Sequence, residues 1–206
     1  TCGGAPQKIM YLTAAHLRRR GILDQVEIHF FSPGVVIFGI PEFARTLEKV
    51  IARYGIQFHF RHDLAEVRGP KQEAVFHLKD EKGQVLEERI FSFQMLHVVP
   101  PQSAPDFIKQ SKVASADGWV EVDPYTLQHV RYPNIFALGD AASTPNAKTG
   151  AAVRKQAPVV VHNLLQLREH GALIHPKHYN GYSSCPLVTG YGKLVLAEFD
   201  YNNRPM

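Results

Sequence analysis

The residues suited to binding a ligand are concentrated at the end of the apolar run 135–138. This run ends abruptly in Gly139-Asp140, and a helical pattern begins at about Lys148. The order predicts a strand, a sharp turn that carries a carboxylate, and a helix whose N-terminus points at the turn. Open α/β sheets bind ligands where the carboxyl end of a strand faces a helix N-terminus. We therefore expect Asp140 to accept hydrogen bonds from a ligand hydroxyl.

The small residues around this turn indicate a flat ligand. Gly139 would let a ligand approach the backbone closely, and Thr149 and Gly150 are small enough for a ring to lie against the first helical turn. Lys148 would place a cation beside a ring that gains negative charge on reduction. A simpler alternative is a strand that ends in an ordinary turn. The small residues that open the helix favour the ligand site over that alternative.

A second candidate for chemistry is Cys2, which stands just before a predicted helix. The positive end of that helix and the nearby Lys8 favour the thiolate form of the side chain. Cys2 is therefore a candidate nucleophile. The alternative is an ordinary small residue in a loop.

The segment YPNIFALGDAASTPNAKTGAAVRKQAPVVVHNL, residues 132–164, resembles the second flavin-binding motif of the two-dinucleotide-binding-domain flavoproteins. The resemblance is greatest to the sulfide:quinone oxidoreductases of the mitochondrial type. Three further stretches carry it: TCGGAPQKIMYL at the start, MLHVVPPQSAPD at residues 95–106, and YSSCPLVTGYGKLVLAEFDY at residues 182–201. The resemblance covers nearly the whole chain.

This resemblance implies a partial Rossmann-like α/β flavoprotein fold, built of three-layer sheet domains, and FAD as cofactor. It implies oxidation of sulfide through a cysteine persulfide on Cys2, with electrons passing through the flavin to a quinone. A sulfane-sulfur acceptor would take the oxidised sulfur. Asp140 and Lys148, with Gly139, Thr149 and Gly150, would hold the flavin, and Pro100 would lie near its ring and the quinone.

The chain departs from the family pattern in two respects. The family places its second redox cysteine just after the Gly-Asp pair, where this chain has Ala141 and Ala142, and the resemblance assigns Cys185 to the scaffold. The glycine-rich motif for the ADP half of FAD and an amphipathic membrane-docking segment are expected outside this sequence. We therefore expect a fragment, or a truncated product, of a longer flavoprotein that contacts a membrane peripherally.

The remaining pattern predicts two portions of an α/β protein. A helix is predicted from Lys8, with an apolar face formed by Ile9, Leu12, Ala15 and Leu17. It is followed by a strand at 25–31, a helix at 42–54 and a strand at 56–60. This order of strand, helix and strand implies that the two strands pair in parallel. Residues 1–97 are expected to form a nicotinamide-domain-like portion. Residues 98–206 are expected to complete the FAD-binding domain and begin the C-terminal domain. No G-x-G-x-x-G motif occurs, so a nicotinamide nucleotide is not expected.

Other elements follow from alternation of apolar and polar residues. Strands are predicted at 73–78 and 85–93, joined by a hairpin, and at two places within 182–201 around a glycine-containing turn. Residues 95–99 form an apolar run that stops at Pro100, and they predict a buried strand. Trp119 is expected to pack in the scaffold.

Composition excludes several classes of function. The 206 residues carry a net charge of +4, with basic residues spread among acidic ones apart from Arg18-Arg19-Arg20, so a nucleic-acid partner is not expected. Two cysteines are too few for a disulfide framework, and His175 and His178 lack further donors for a metal. With no apolar run of about 20 residues, the chain is expected to be soluble. The family resemblance implies a location on the cytoplasmic or matrix side.

Two alternatives to the oxidoreductase remain open at this point. One is a flavoprotein remnant that acts by binding or assembly, without sulfide oxidation. The other is a quinone-linked flavin dehydrogenase with a different electron donor, which would not need a second cysteine.

Overall fold

The computed structural model describes residues 4–206, so Cys2 lies outside the described part of the chain. The chain separates into two compact units. The first comprises Pro6–Pro100 and Val188–Val195, and the second comprises Pro101–Leu187 and Leu196–Met206 together with Gly4 and Ala5. The assignment of residues 1–97 to a nicotinamide-like portion and of 98–206 to a flavin portion stays a prediction.

The first unit contains the predicted strand, helix and strand. Helix α1 spans Ala5–Arg19, β1 His29–Phe31, α2 Pro41–Tyr54 and β2 Gln57–His59. Strands β1 and β2 pair in parallel, as the pattern predicted. Helix α2 begins on a proline and ends at Gly55, whose φ of 67° is the left-handed conformation that favours glycine. The strand predicted at 25–31 is shorter than expected. Residue 25 belongs to a 3₁₀ turn, and residues 26–28 form no regular element.

The buried face of α1 agrees with the predicted one at Ala15 but differs from it elsewhere. Ile9 and Leu12 are 42% and 37% exposed, whereas Tyr11 and Ala14 are fully buried. The reason is that Gln7 occupies the inner face despite its polarity. Its side-chain amide donates a 2.7 Å hydrogen bond to the Ile37 carbonyl and accepts one from the Tyr11 hydroxyl. A buried polar group that is fully hydrogen-bonded carries no large penalty, so the apolar pattern alone does not fix the face.

A three-stranded antiparallel sheet completes the first unit. It consists of β3 at His62–Arg68, β4 at Glu73–Lys79 and β5 at Val85–Ser92, in the order β3-β4-β5. The hairpin between β4 and β5 is confirmed, and the Asp80 carboxylate accepts hydrogen bonds from the Lys82 and Gln84 N–H groups. No strand is predicted at β3, where a register shift between Leu64 and Glu66 interrupts the alternation.

The strand predicted at 95–99 is wrong. These residues form no strand, and Met95 is 73% exposed, with Val98 and Val99 also exposed. The apolar run has no strand partner among the described residues, and an apolar run by itself does not distinguish a buried strand from exposed chain.

The second unit is built around the long helix α4, Gly150–His170, which confirms the predicted helix and includes Pro158. A short α3 spans Asp106–Lys109, and strands β6, Ser183–Gly190, and β7, Lys193–Phe199, form the predicted pair, whose connecting tip belongs to the first unit. Residues 135–138 form no regular strand. Only Phe136 pairs, through a single bridge to Gln128.

Two hydrophobic clusters hold the second unit together. The first is formed by Ile108, Val120, Val122 and Ala142. The second is formed by Leu127, Val159 and Tyr179. The segment before the Gly-Asp turn joins the first cluster through bridges from Val120 to Ala142 and from Val122 to His129.

Within residues 4–206, no helix has the length and apolar character needed to cross a membrane.

The burial pattern predicts a clear difference between two leucines of the first unit. Leu47 on α2 is fully buried, so Leu47→Ala should lower the free energy of unfolding by about 2–5 kcal/mol. Leu12→Ala on α1 should cost less than about 1 kcal/mol, because that side chain is partly in solvent. Denaturant unfolding followed by circular dichroism measures both. Equal losses for the two variants would contradict the described face of α1.

Candidate functional site

The turn at Gly139 is fixed by backbone conformation and by close packing on α4. Gly139 has φ of 61°, and a Cβ there would lie 2.8 Å from Val153 Cγ2. Its N–H donates a 2.8 Å hydrogen bond to the buried Gln156 side chain. Gly139 is thus required by the fold itself. Whether it also lets a ligand approach stays a prediction.

Asp140 follows this glycine in a 3₁₀ turn that spans Gly139–Ala141, and its side chain is exposed. The charge of Asp140 acts on Lys148 at the end of the same loop. Burial lowers the pKa of Lys148 below its ordinary value, and the negative charge of Asp140 partly opposes that shift. The loop therefore carries an exposed carboxylate and a half-buried ammonium that are electrostatically linked.

Lys148 is held by the loop itself. Its Nζ donates hydrogen bonds to the Ala142 carbonyl at 2.6 Å and to the Thr144 carbonyl at 3.3 Å. Nζ also lies 4.9 Å from the centre of the Trp119 ring. Trp119 is only partly buried, so its contact with the cation extends the packing role expected of it.

Thr149 caps helix α4. Its Oγ1 accepts a 3.1 Å hydrogen bond from the Ala152 N–H, which is the usual arrangement at a helix N-terminus. The same oxygen lies 3.1 Å from Ser183 Oγ, and Ser183 donates to the Ala147 carbonyl. Thr149 therefore joins the loop, the helix and β6. Gly150 is exposed, with no atom within 4 Å of the position of a Cβ.

Two buried polar atoms of this loop have no hydrogen-bond partner within the described residues. They are Thr144 Oγ1 and Asn146 Oδ1. The amide nitrogen of Asn146 donates to the Tyr179 hydroxyl, which donates in turn to the Tyr182 carbonyl. Burial raises the pKa of Tyr179 to about 12, so that hydroxyl keeps its proton. Buried polar atoms are rarely left unpaired, and these two are suited to a ligand that brings its own donors.

The two positions after the Gly-Asp pair face the protein core. Ala142 is fully buried in the cluster with Val120 and Val122, and Ala141 packs against the same cluster. A thiol at residue 142 would therefore be enclosed by apolar side chains. These two positions therefore serve packing in this chain.

Cys185, which the resemblance assigned to the scaffold, lies buried on β6. An ideal Cβ on Gly4 would overlap Cys185 Sγ and would lie 2.8 Å from Leu187 Cδ2. The thiol sulfur thus lies against the chain two residues after Cys2. The signal available in the sequence was simply that Cys185 is the second of two cysteines.

Two further predicted residues remain, and their roles stay predictions. Cys2 lies outside the described residues, and Pro100 is exposed at the end of Pro6–Pro100 in the first unit. In the described part of the chain, no three His, Cys, Asp or Glu side chains are grouped so that they could hold a metal ion.

Comparison with known proteins gives a family match over most of the chain. Residues 14–163 match the family model described as pyridine nucleotide-disulphide oxidoreductase. The chain is 44% identical over 205 residues to the mitochondrial sulfide:quinone oxidoreductase of Mus musculus and 42% identical over 201 residues to that of Dictyostelium discoideum. These matches cover 100% and 97% of this chain, but only 44% and 43% of the relatives.

A solved structure has the same fold. The X-ray structure of the sulfide:quinone oxidoreductase from the hyperthermophilic bacterium Aquifex aeolicus matches with a TM-score of 0.74 at 21% identity. The match covers 94% of this chain and 47% of that one. With the family match, it confirms the partial Rossmann-like flavoprotein fold predicted from the sequence.

The link between Asp140 and Lys148 leads to a measurable pKa change. Asp140→Asn should lower the pKa of Lys148 further, because it removes the charge that opposes the effect of burial. Reductive ¹³C-methylation of the lysines followed by NMR across an alkaline pH series measures this pKa. Asp117→Asn, at an exposed carboxylate of the same unit, is the control. An unchanged Lys148 pKa in Asp140→Asn would rule out the described link.

The contact between Gly4 and Cys185 predicts that a larger residue at position 4 will destabilise the protein. Gly4→Ala should lower the free energy of unfolding by about 1–3 kcal/mol, because the new methyl group would overlap Cys185 Sγ and Leu187. Gly69→Ala is the matched control, since no atom lies within 4 Å of a Cβ at that position. Thermal unfolding of both variants gives the comparison. A Gly4→Ala variant as stable as Gly69→Ala would show that the sulfur does not lie against Gly4.

Proposed function

This chain belongs to the pyridine nucleotide-disulphide oxidoreductase family, and from that premise we propose that it forms part of an FAD-dependent sulfide:quinone oxidoreductase. The observation that carries the proposal is the position of Cys185 Sγ against Gly4. Cys2 precedes Gly4 by two residues in the sequence. Cys2 and Cys185 are therefore proposed as the pair of redox sulfurs.

With this pairing, the chain has two redox sulfurs although Ala141 and Ala142 stand where the second cysteine was expected. Those positions lie in or against a hydrophobic cluster, whereas Cys185 is close in space to the segment that follows Cys2. The earlier assignment of Cys185 to the scaffold is replaced by a redox role in this proposal. Similarity along the whole chain to relatives named sulfide:quinone oxidoreductase supports the proposed activity.

The proposed reaction begins with a disulfide between Cys2 and Cys185. Sulfide adds to one sulfur and breaks the bond, which gives a persulfide on one cysteine and a thiolate on the other. Transfer of the outer sulfur to a sulfane-sulfur acceptor leaves two thiols. Their reoxidation to the disulfide releases two electrons and two protons. A bound flavin would relay those electrons to the quinone.

The loop at 139–150 contains groups that fit a flavin. Asp140 is exposed and can accept hydrogen bonds from ligand hydroxyls, while Thr144 Oγ1 and Asn146 Oδ1 are unpaired within the described chain. Gly150 leaves open space at the start of α4, and Lys148 supplies a nearby cation. The proposal assigns FAD to these residues. Pro100 is retained in it as a residue near the ring and the quinone.

The proposed location of the protein in the cell follows from the same relatives. The curated relatives are named as mitochondrial proteins, so we propose the matrix side of a mitochondrial membrane as its location. Peripheral membrane contact would bring the quinone to the enzyme.

The test uses the protein in its full-length context, with anaerobic addition of sulfide and a quinone. Cys2→Ser and Cys185→Ser should each lower quinone reduction by at least about 100-fold while the flavin absorbance remains, since each removes one sulfur of the pair. Asp140→Asn should instead weaken flavin binding. The control is Asp117→Asn, which should leave both quantities unchanged.

Three results would contradict parts of this proposal. Full activity in Cys185→Ser would remove that residue from the sulfur pair. Bound flavin that sulfide does not bleach in the unmodified protein would indicate a different electron donor. A protein without flavin would leave the binding-module alternative.

A further inference from the structure

A basic cleft in the first unit is not explained by the proposed redox function. It lies where α1 and α2 end, beside the tip that joins β6 to β7. Two adjoining cavities of about 570 and 310 Å³ share Arg18, Arg53 and Tyr54 in their walls. All residues that line these cavities belong to the first unit.

Tyr54 forms a rigid wall of this cleft. Its ring is largely buried, and its hydroxyl donates a 2.8 Å hydrogen bond to the Thr189 carbonyl. Gly190 allows this close approach, because a Cβ there would lie 2.7 Å from the tyrosine oxygen. The ring is therefore held in one position by the hairpin tip.

Two arginines lie on this one ring. Arg18 Cζ is 4.7 Å and Arg53 Cζ is 4.9 Å from its centre. The Arg18 guanidinium also donates a hydrogen bond to the Arg53 carbonyl. Among residues 4–206, neither guanidinium forms an ion pair with a carboxylate. Two like charges thus share one aromatic ring without an anion from the described chain.

Further basic groups extend the cleft. Arg19 Cζ lies 5.1 Å from the centre of the Tyr191 ring, and Lys193 lines the smaller cavity. Asp24 is the acidic residue among those that line the two cavities. The local charge is therefore strongly positive.

The C-terminal ends of the two helices offset only part of this positive charge. Basic side chains near a helix C-terminus offset its dipole, and α1 and α2 both end here. Each helix end is equivalent to roughly half a negative charge. The two ends and Asp24 together offset about two of the four cations at Arg18, Arg19, Arg53 and Lys193. Enough positive charge remains to balance a dianion.

We propose that this cleft binds the phosphoryl group of a soluble phosphorylated molecule. Guanidinium groups match phosphate oxygens in charge and geometry, and they remain protonated throughout the physiological range. The larger cavity, of about 570 Å³, is wide open to solvent, so recognition there depends on charge rather than on enclosure of the ligand. The walls leave room beyond a single phosphoryl group, so the rest of the ligand would extend along Leu23 and Val26.

Calorimetric titration of the chain with pyrophosphate at low salt tests this site. One equivalent should bind, and Arg18→Gln and Arg53→Gln should each weaken binding by about tenfold or more. Arg45→Gln is the matched control, because it removes the same charge from an exposed position on α2 that does not line the cleft. A thermal unfolding curve accompanies each variant.

A second measurement does not depend on the variants. Pyrophosphate should slow amide hydrogen exchange at 188–193 and at 53–55 in the unmodified chain. Absence of binding, or an equal loss in Arg45→Gln, would overturn the proposal. Binding of phosphatidylglycerol vesicles without binding of pyrophosphate would also overturn it, since the cleft would then recognise a lipid surface. None of these results depends on flavin or sulfide.

Discussion

A buried hydrogen bond between the Gly139 N–H and the Gln156 side chain holds the candidate site together. Loss of its acceptor would leave a buried N–H unpaired, at a cost of about 1–3 kcal/mol. The bond forms because Gly139 adopts a left-handed φ and lets Val153 approach closely. With the turn fixed on α4, Asp140 is exposed at the start of the loop and Thr149 caps the helix at its end.

The chain uses cations differently in its two units. Lys148 in the second unit is held by two backbone carbonyls and an aromatic ring, and burial lowers its pKa. Arg18 and Arg53 in the first unit lie on Tyr54 and form no ion pair with any carboxylate of residues 4–206. An arginine retains its charge in such a setting, whereas a buried lysine loses its proton more readily. The setting of Lys148 therefore suits a binding loop, and the setting of Arg18 and Arg53 suits recognition of an anion.

Much of the fold followed from the sequence. The parallel pairing of β1 with β2, the β4–β5 hairpin and helix α4 agree with their patterns, because periodicity and turn residues act over short distances. The predictions that were wrong depend on contacts that an apolar pattern does not specify. The run at 95–99 has no strand partner in the described chain, and the polar Gln7 occupies the inner face of α1 through bonds to Ile37 and Tyr11.

The sequence by itself determined the family, the Gly139-Asp140 turn and the helix that begins after Lys148, because residue order and small side chains specify these locally. Only the tertiary structure decided which groups meet. It placed Cys185 against Gly4, although some 180 residues separate them along the chain. It also enclosed Ala142 in a hydrophobic cluster. Contacts between distant segments depend on how whole elements pack, and a linear pattern does not contain that information.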